Sequence, residues 1–327
     1  MFSRRAFLGA LAMPLALPCG ADPKRLPQLG WVILNVRLDD YLSGRQGTWR
    51  LCKPELQRRG WTDGRTVQIH FRSAEGDYSR LPEMIAGLIA KPVDVLVAFG
   101  AAYGEAMRQT KVIPIVTYLG WSREGPLPPN VAGVNSVPSS SLLPKQLALL
   151  KEMSPSVSRV AIVYDARTEP SEPWIPQFLA DHADVAARLG MTLVPTGIRA
   201  FTSPQVDLEA AFQRGIQAAL VVGDVGFHLP EFQLPVHEWA NRRKIPVIHS
   251  QASAAETGGL MVFGAGEAQS AARLVYCVDR VLRGTKPADL PIEDPTRYEL
   301  VINLSAAKAI GMTVPASLRI QATRLID

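Results

Sequence analysis

Apolar residues in this chain come in short unbroken runs, and each run leads into a stretch with helical spacing. Val93 to Phe99 is the plainest case: V-D-V-L-V-A-F, then Gly100-Ala101-Ala102, then a helical pattern from Tyr103 to Gln109. A run this apolar predicts a strand covered on both faces, as in a parallel sheet. Where such a strand meets a helix across small residues, backbone N–H groups and the positive end of the helix dipole face whatever lies above the sheet. The pattern predicts further strands at Leu29–Val36, Thr66–Arg72, Ile113–Tyr118 and Val131–Asn135. Helices are predicted at Gln46–Arg59, where Gly60 suits a left-handed cap, and at Tyr78–Ala90, where Leu81, Ile85, Leu88 and Ile89 share a face.

A second set follows. Strands are predicted at Arg159–Asp165, Thr192–Pro195, Ala218–Val222, Pro246–His249, Gly259–Phe263 and Glu299–Asn303. Helices are predicted at Leu142–Met153, Trp174–Leu189, Asp207–Gly215, Leu234–Lys244, Glu267–Arg283 and Ala306–Gly311. Alternating strands and helices with runs this apolar give an α/β fold: parallel sheets, right-handed crossovers, helices on both faces. Two sets of similar size predict two Rossmann-like lobes whose strand-to-helix turns face one cleft. Ligands of open α/β sheets bind along that edge. The turns placed there are Asn35-Val36-Arg37, Gly100-Ala101-Ala102, Gly120-Trp121, Asp165-Ala166-Arg167, Gly223-Asp224-Val225 and Ser250-Gln251.

Composition changes this picture little. The 327 residues are 47% hydrophobic and 20% charged, with a formal net charge of +5, which suits a soluble chain of two lobes. Basic pairs such as Arg58-Arg59 and Arg242-Arg243 sit near predicted helix ends, where cations favour the dipole, so no nucleic-acid partner is expected. Of the three cysteines, Cys19 lies near the N-terminus; Cys52 and Cys277 fall on predicted amphipathic helices. Buried free thiols are the plainer reading and a disulfide between them the alternative. The N-terminus matters more. Ser3-Arg4-Arg5-Ala6-Phe7-Leu8 looks like a twin-arginine export signature, and the apolar region after it is too short to span a bilayer. Residues 1–21 are therefore expected to be a cleaved signal peptide, with a lipid anchor at Cys19 disfavoured by Leu17 and Pro18 before it.

Catalytic motifs are missing. Gly264-Ala265-Gly266 begins a dinucleotide fingerprint but lacks its third glycine, and there is no phosphate-binding P-loop or G-x-S-x-G elbow. His237-Glu238 begins a zinc-protease helix, yet position 241 is Asn, and the five histidines show no metal spacing. No cofactor and no metal are expected. Asp165 and Asp224 each end an apolar strand. They either contact a ligand or bond the backbone of their own turns, with acid–base work a weaker third reading. Trp121 could offer a flat apolar surface. His249 ends a strand near the cleft, where ligand contact competes with a satisfied place in the core.

Longer stretches carry a resemblance. Leu56 to Pro82, L-Q-R-R-G-W-T-D-G-R-T-V-Q-I-H-F-R-S-A-E-G-D-Y-S-R-L-P, Gly258 to Gly264, and Gly284–Leu290 followed by Pro295–Leu304 and Ala307–Gly311 resemble ABC transporter substrate-binding proteins of the tryptophan/tyrosine-binding type. The resemblance covers nearly the whole chain after the leader. It implies a type I periplasmic-binding fold: lobes of 28–134 plus 265–290 and 135–264 plus 291–327, a hinge of several crossing segments, and a small solute bound between them. It also implies delivery to an ABC permease from the periplasm, by a monomer without catalysis. The cleft departs from the family. Its usual Gly-Thr-Pro-Ala turn is Gly100-Ala101-Ala102-Tyr103 here, its Asp-Pro-Val segment and Arg-Pro-Gly-Gly-Asn loop are replaced by Gly120–Asn130, and its Arg-Glu-Phe is Gln251-Ala252-Ser253. The candidate ligand residues are Asn35, Arg37, Gly100, Ala101, Ala102, Trp121, Asp165, Asp224, His249 and Gln251, for an amino-acid-like solute or a small organic acid. A two-lobed enzyme using cleft carboxylates, or a solute sensor not coupled to transport, are the rivals.

Overall fold

The computed structural model describes residues 25–119, 127–135, 139–167, 174–223, 227 and 229–327. The predicted signal peptide, Trp121 and Asp224 lie outside the described residues.

In chain order the first part holds β1 (Gln28–Ile33), α1 (Leu38–Leu42), α2 (Trp49–Arg58), β2 (Gln68–Ser73), a 3₁₀ turn (Tyr78–Arg80), α3 (Leu81–Ile89), β3 (Val95–Val97), α4 (Gly100–Gln109), β4 (Ile115–Leu119) and β5 (Val131–Asn135). The second part holds α5 (Ser139–Met153), β6 (Arg159–Asp165), α6 (Ile175–Arg188), β7 (Thr192–Ile198), α7 (Gln205–Gln213), β8 (Ala218–Val221), α8 (Pro230–Arg243), β9 (Val247–His249), α9 (Ser253–Glu256) and β10 (Met261–Ala265). The chain then runs through α10 (Glu267–Leu282), a 3₁₀ turn (Pro287–Asp289), β11 (Tyr298–Asn303), α11 (Leu304–Ala309), α12 (Ala316–Gln321) and β12 (Arg324–Ile326).

These strands form two sheets. One has the order β2-β1-β3-β4-β5 and is parallel throughout; the other has the order β12-β11-β10-β9-β8-β6-β7. Strand β11 runs antiparallel to β10, with Met261 opposite Ile302. Parallel strands were expected everywhere. The exception arises because the chain, after α10 and the 3₁₀ turn beside the first sheet, re-enters at the carboxyl end of β10, with Tyr298 opposite Ala265, and runs back along it.

Each sheet is covered on both faces. Trp31 and Val97 point into a cluster with Trp49, Leu56 and Cys277, while Val32, Leu34 and Leu96 point into one with Ile85 and Leu88. Helix α10 belongs to the first of these clusters and packs on α2, β3, β4 and β5, although it follows ten strands in sequence. Its Cys277 and the Cys52 of α2 are both free and fully buried, as the plainer reading of the cysteines expected. Where β10 gives way to α10, Arg50 pairs with Glu267 at 2.9 Å, and Gln269 donates to Thr296 at 2.6 Å. Those side chains line an open cavity of about 620 Å³ at the crossing.

Several predicted elements are shifted. Helix α8 begins at Pro230, four residues before the predicted start, because Pro230 occupies a first-turn position where a missing N–H is harmless. The predicted helix at Tyr78 begins as the separate 3₁₀ turn, with Asp77 accepting from the Ser79 amide at 3.1 Å. Helices α1, α9 and α12 and strand β12 were not expected.

Candidate functional site

The carboxyl ends of the two sheets approach each other, and a polar cluster joins them. From the first sheet comes Asn35, two residues past β1. It is joined by Tyr78, held over the sheet by the turn after β2. That turn is tied down locally: the Ser73 hydroxyl donates to the Val36 carbonyl at 2.5 Å, and the Gly76 amide to the Leu34 carbonyl at 2.8 Å. Gly76 has φ of 87°, a left-handed conformation that suits glycine.

From the second sheet comes Asp165, the last residue of β6, only 1% exposed. Its carboxylate accepts three bonds from one residue: the Arg167 amide at 3.0 Å, Nε at 2.9 Å and Nη2 at 2.6 Å. The backbone bond is an Asx turn, which folds the chain so that the guanidinium returns to the same carboxylate. Arg167 then reaches across the cleft. Its Nη2 lies 3.3 Å from the Tyr78 hydroxyl and 3.5 Å from Asn35 Oδ1, while the Tyr78 hydroxyl lies 3.5 Å from Asp165 Oδ2. The guanidinium sits between two aromatic rings, 4.8 Å from the centroid of Tyr78 and 4.8 Å from that of Phe201. Phe201, in the loop after β7, is backed by Phe227 and Phe232, which stack at 4.0 Å. Asn35 Nδ2 is buried with no hydrogen-bond partner.

The remaining candidates fall in different places. Gly100 opens α4 with φ of 49°, and the Ala102 amide donates to the Phe99 carbonyl at 3.0 Å, so that donor closes its own turn. The Ala102 side chain is part of the core; Ala101 is half-buried beside it. Arg37 is exposed at the start of α1. His249 is wholly buried and hydrogen-bonds His237: their Nε2 atoms are 3.1 Å apart, and His237 Nδ1 bonds the Thr257 carbonyl at 3.0 Å. The Thr257 carbonyl can only accept, so His237 donates to it from Nδ1, His249 donates through Nε2 to His237 Nε2, and the His249 Nδ1 is a buried acceptor. Burial, then the neighbouring His237, holds His249 well below the usual histidine range; burial also lowers His237, against the opposing pull of the Thr257 carbonyl. Both rings are neutral. Gln251 is half-buried beside Ser250, whose hydroxyl receives a bond from Gln146 Nε2 at 3.0 Å.

The cluster contains two residues, Tyr78 and Phe201, that no strand-end rule would find. Each lies a few residues beyond a strand, and the signal for Tyr78 was only its place after Gly76-Asp77, a turn followed by a cap. Among the described residues no group of three or more His, Cys, Asp or Glu could hold a metal ion, and no helix is long and apolar enough to cross a membrane.

Two α/β sheets meeting edge to edge over a polar cluster define a bilobal solute-binding protein. The chain belongs to the ABC transporter substrate binding protein family, whose sequence model matches residues 44–326. Proteins of this family are extracytoplasmic and supply small molecules to an ABC permease. A curated relative, the tyrosine-binding protein of Clostridioides difficile strain R20291, is 24% identical over 267 residues, 79% of this chain and 74% of the relative. Two solved structures align over 92% of this chain and 100% of theirs. One is a conserved domain protein from Vibrio cholerae, with a TM-score of 0.77 at 21% identity. The other is an ABC domain in complex with L-Trp from Streptococcus pneumonia, with a TM-score of 0.76 at 22% identity. A sugar-binding relative of the fold, the glucose-galactose binding protein GanP from Geobacillus stearothermophilus, aligns with a TM-score of 0.61 at 13% identity.

Proposed function

We propose that the protein captures an amino-acid-like solute or a small organic acid between its two sheets by hinge closure, and feeds it to an ABC permease as a monomer. The lobes that close are 28–134 plus 265–290 and 135–264 plus 291–327. The observation that carries this reading is the Asn35–Tyr78–Asp165–Arg167 cluster, because the bonds from Arg167 to Asn35 and Tyr78 and from Tyr78 to Asp165 run between the two sheets and need the cleft shut. A ligand that contacts both sides shifts the open–closed balance by its differential affinity for the closed form.

The residues proposed to contact the solute are Asn35, Arg37, Gly100, Ala101, Ala102, Asp165, His249 and Gln251, together with Trp121 and Asp224, which lie outside the described residues. The names of two relatives, one binding tyrosine and one holding L-Trp, support an amino-acid-like solute. The protein is a receptor and not a catalyst, needs no cofactor, has no nucleic-acid partner, and reaches the periplasm through a twin-arginine signal in residues 1–21. Thermal-shift screening of the purified protein against amino acids, amines and organic acids tests the reading, with X-ray scattering on any hit. A hit raises the melting temperature and shrinks the radius of gyration. A complete screen with no hit, or a hit that leaves the radius unchanged, removes the hinge-closure receptor.

A further inference from the structure

Gln146 stands wholly buried on a face of α5 that it shares with Leu143, Leu147 and Leu150. An apolar side chain would complete that face, but the amide reaches the sheet instead. Its Nε2 donates to the Ser250 hydroxyl at 3.0 Å and to the Phe263 carbonyl at 2.8 Å, and the Ser250 hydroxyl donates onward to the Val221 carbonyl at 3.3 Å. Val221 ends β8, Ser250 follows β9 and Phe263 lies in β10, so one side chain ties three neighbouring strands to a helix. Both Nε2 protons are used, while Oε1 is buried with no hydrogen-bond partner. Each of the two bonds contributes about 0.5–1.5 kcal/mol, and the unpaired acceptor costs about 1–3 kcal/mol. Gain and cost nearly cancel, so net stability does not account for an amide at this place. What the amide fixes is geometry. Ser250 leads into Gln251 at the carboxyl edge of the sheet, and Phe263 lies two residues before the end of β10, from which the chain crosses to α10. The same two segments are pressed together, since a Cβ on Gly264 would lie 1.9 Å from the Ser250 carbonyl oxygen.

We infer that Gln146 is a positioning residue for solute capture: it holds the Ser250-Gln251 turn in a fixed place relative to the crossing at Ala265-Gly266. This rests on the cleft being the solute site, and it goes beyond that reading by naming a residue that acts without touching the solute. A turn already held in place costs less to order when a solute binds, which raises affinity. Once the turn is released, affinity falls in proportion to the time it spends elsewhere.

The experiment compares the whole purified protein with its Gln146→Met variant, a swap of similar volume that removes the donor. Hydrogen exchange by mass spectrometry and thermal melting are both measured without solute. Exchange over 249–256 and 262–268 is expected to rise about tenfold, while exchange over 147–153 of α5 is unchanged and the melting temperature moves by no more than about 2–4 °C. A role in helix packing alone would raise α5 exchange and lower the melting temperature together, and that result overturns the inference. Ser250→Ala removes one of the two acceptors; it should give a smaller rise over the same segments, and it supplies the readout should Gln146→Met fold poorly. The double variant should add little to Gln146→Met, because both substitutions act through one network. Unchanged exchange over both segments in both variants overturns the inference. Binding is read by calorimetry with L-tryptophan and L-tyrosine: a probe that binds wild type should bind Gln146→Met about tenfold more weakly, and equal binding also overturns the inference. A broad screen without any ligand removes the receptor reading, whereas the exchange pattern judges the hold of Gln146 on the turn separately.

Discussion

The turn after β3 and the turn after β6 each stand at the carboxyl end of a buried strand in its own sheet. Their chemistry is opposite. After β3 the chain uses Gly100 at φ of 49° to start α4, and the Ala102 amide turns back onto the Phe99 carbonyl. After β6 the chain ends on a carboxylate that gathers the amide and the guanidinium of Arg167. The first edge contributes neutral acceptors and a ring, through Asn35 and Tyr78. The second edge contributes the charged pair. A strand end therefore provides a place for a site, while the side chain standing there decides whether the turn satisfies itself or reaches across the cleft.

The comparison can be broken at either end. Asp165→Ala should have the largest effect, about 3 kcal/mol of lost stability in chemical denaturation, since it removes the buried carboxylate from an inward-turned guanidinium whose side chain is only 21% exposed. An effect near zero would mean that the pair adds nothing to the charged edge. Gly264→Ala tests the packing behind the same edge. A Cβ there would lie 1.9 Å from the Ser250 carbonyl oxygen, so the turn carrying Ser250 and Gln251 must move, with an expected loss of about 2–3 kcal/mol.

Next comes acid. In the unfolded chain His237 and His249 titrate near pH 6.5, whereas burial lowers both in the fold. Below about pH 6.5 the unfolded state takes up protons that the native state refuses, so stability falls with falling pH, by on the order of 2 kcal/mol between about pH 7 and pH 5. His237→Gln should flatten that slope in urea titrations. The smallest effect on stability belongs to the first edge: Gly100→Ala, forced to positive φ, should cost about 1 kcal/mol and weaken solute binding by disturbing the Ala101 and Ala102 turn. Unchanged affinity there would remove the first turn as a ligand contact.

Much of this was legible in the sequence. The apolar runs located Arg159–Asp165 and Val131–Asn135 with their observed limits, because a buried parallel strand is written as a continuous run. Asp165 stood out as a carboxylate ending such a run. Its grip on Arg167 did not, since an Asx turn is a matter of side-chain torsion rather than spacing. Tyr78 and Phe201 were not legible as site residues, because one opens a 3₁₀ turn and the other lies in a loop, and both come to Arg167 only when the sheets are brought together. The reversal of β11 was hidden for a similar reason: Glu299–Asn303 reads as a strand in either direction, and direction depends on where the preceding crossing delivers the chain. The turns at Gly100–Tyr103 and Gln251–Ser253, read as departures from the family's pattern, follow β3 and β9 at the carboxyl ends of their strands.

Helix α10 has a consequence for the order in which the protein can be built. It covers the apolar face of β3, β4 and β5, yet it emerges from the ribosome only after strands β6 to β10 of the other sheet. Until about residue 282 is available, Trp31 is covered by Trp49 of α2, but Val97 and its neighbours on β4 and β5 lack α10, and the first half cannot finish as an independent unit. The nascent chain must therefore keep a greasy surface exposed through most of its synthesis, which makes it a natural client for a holding chaperone and couples the completion of both halves to one late event.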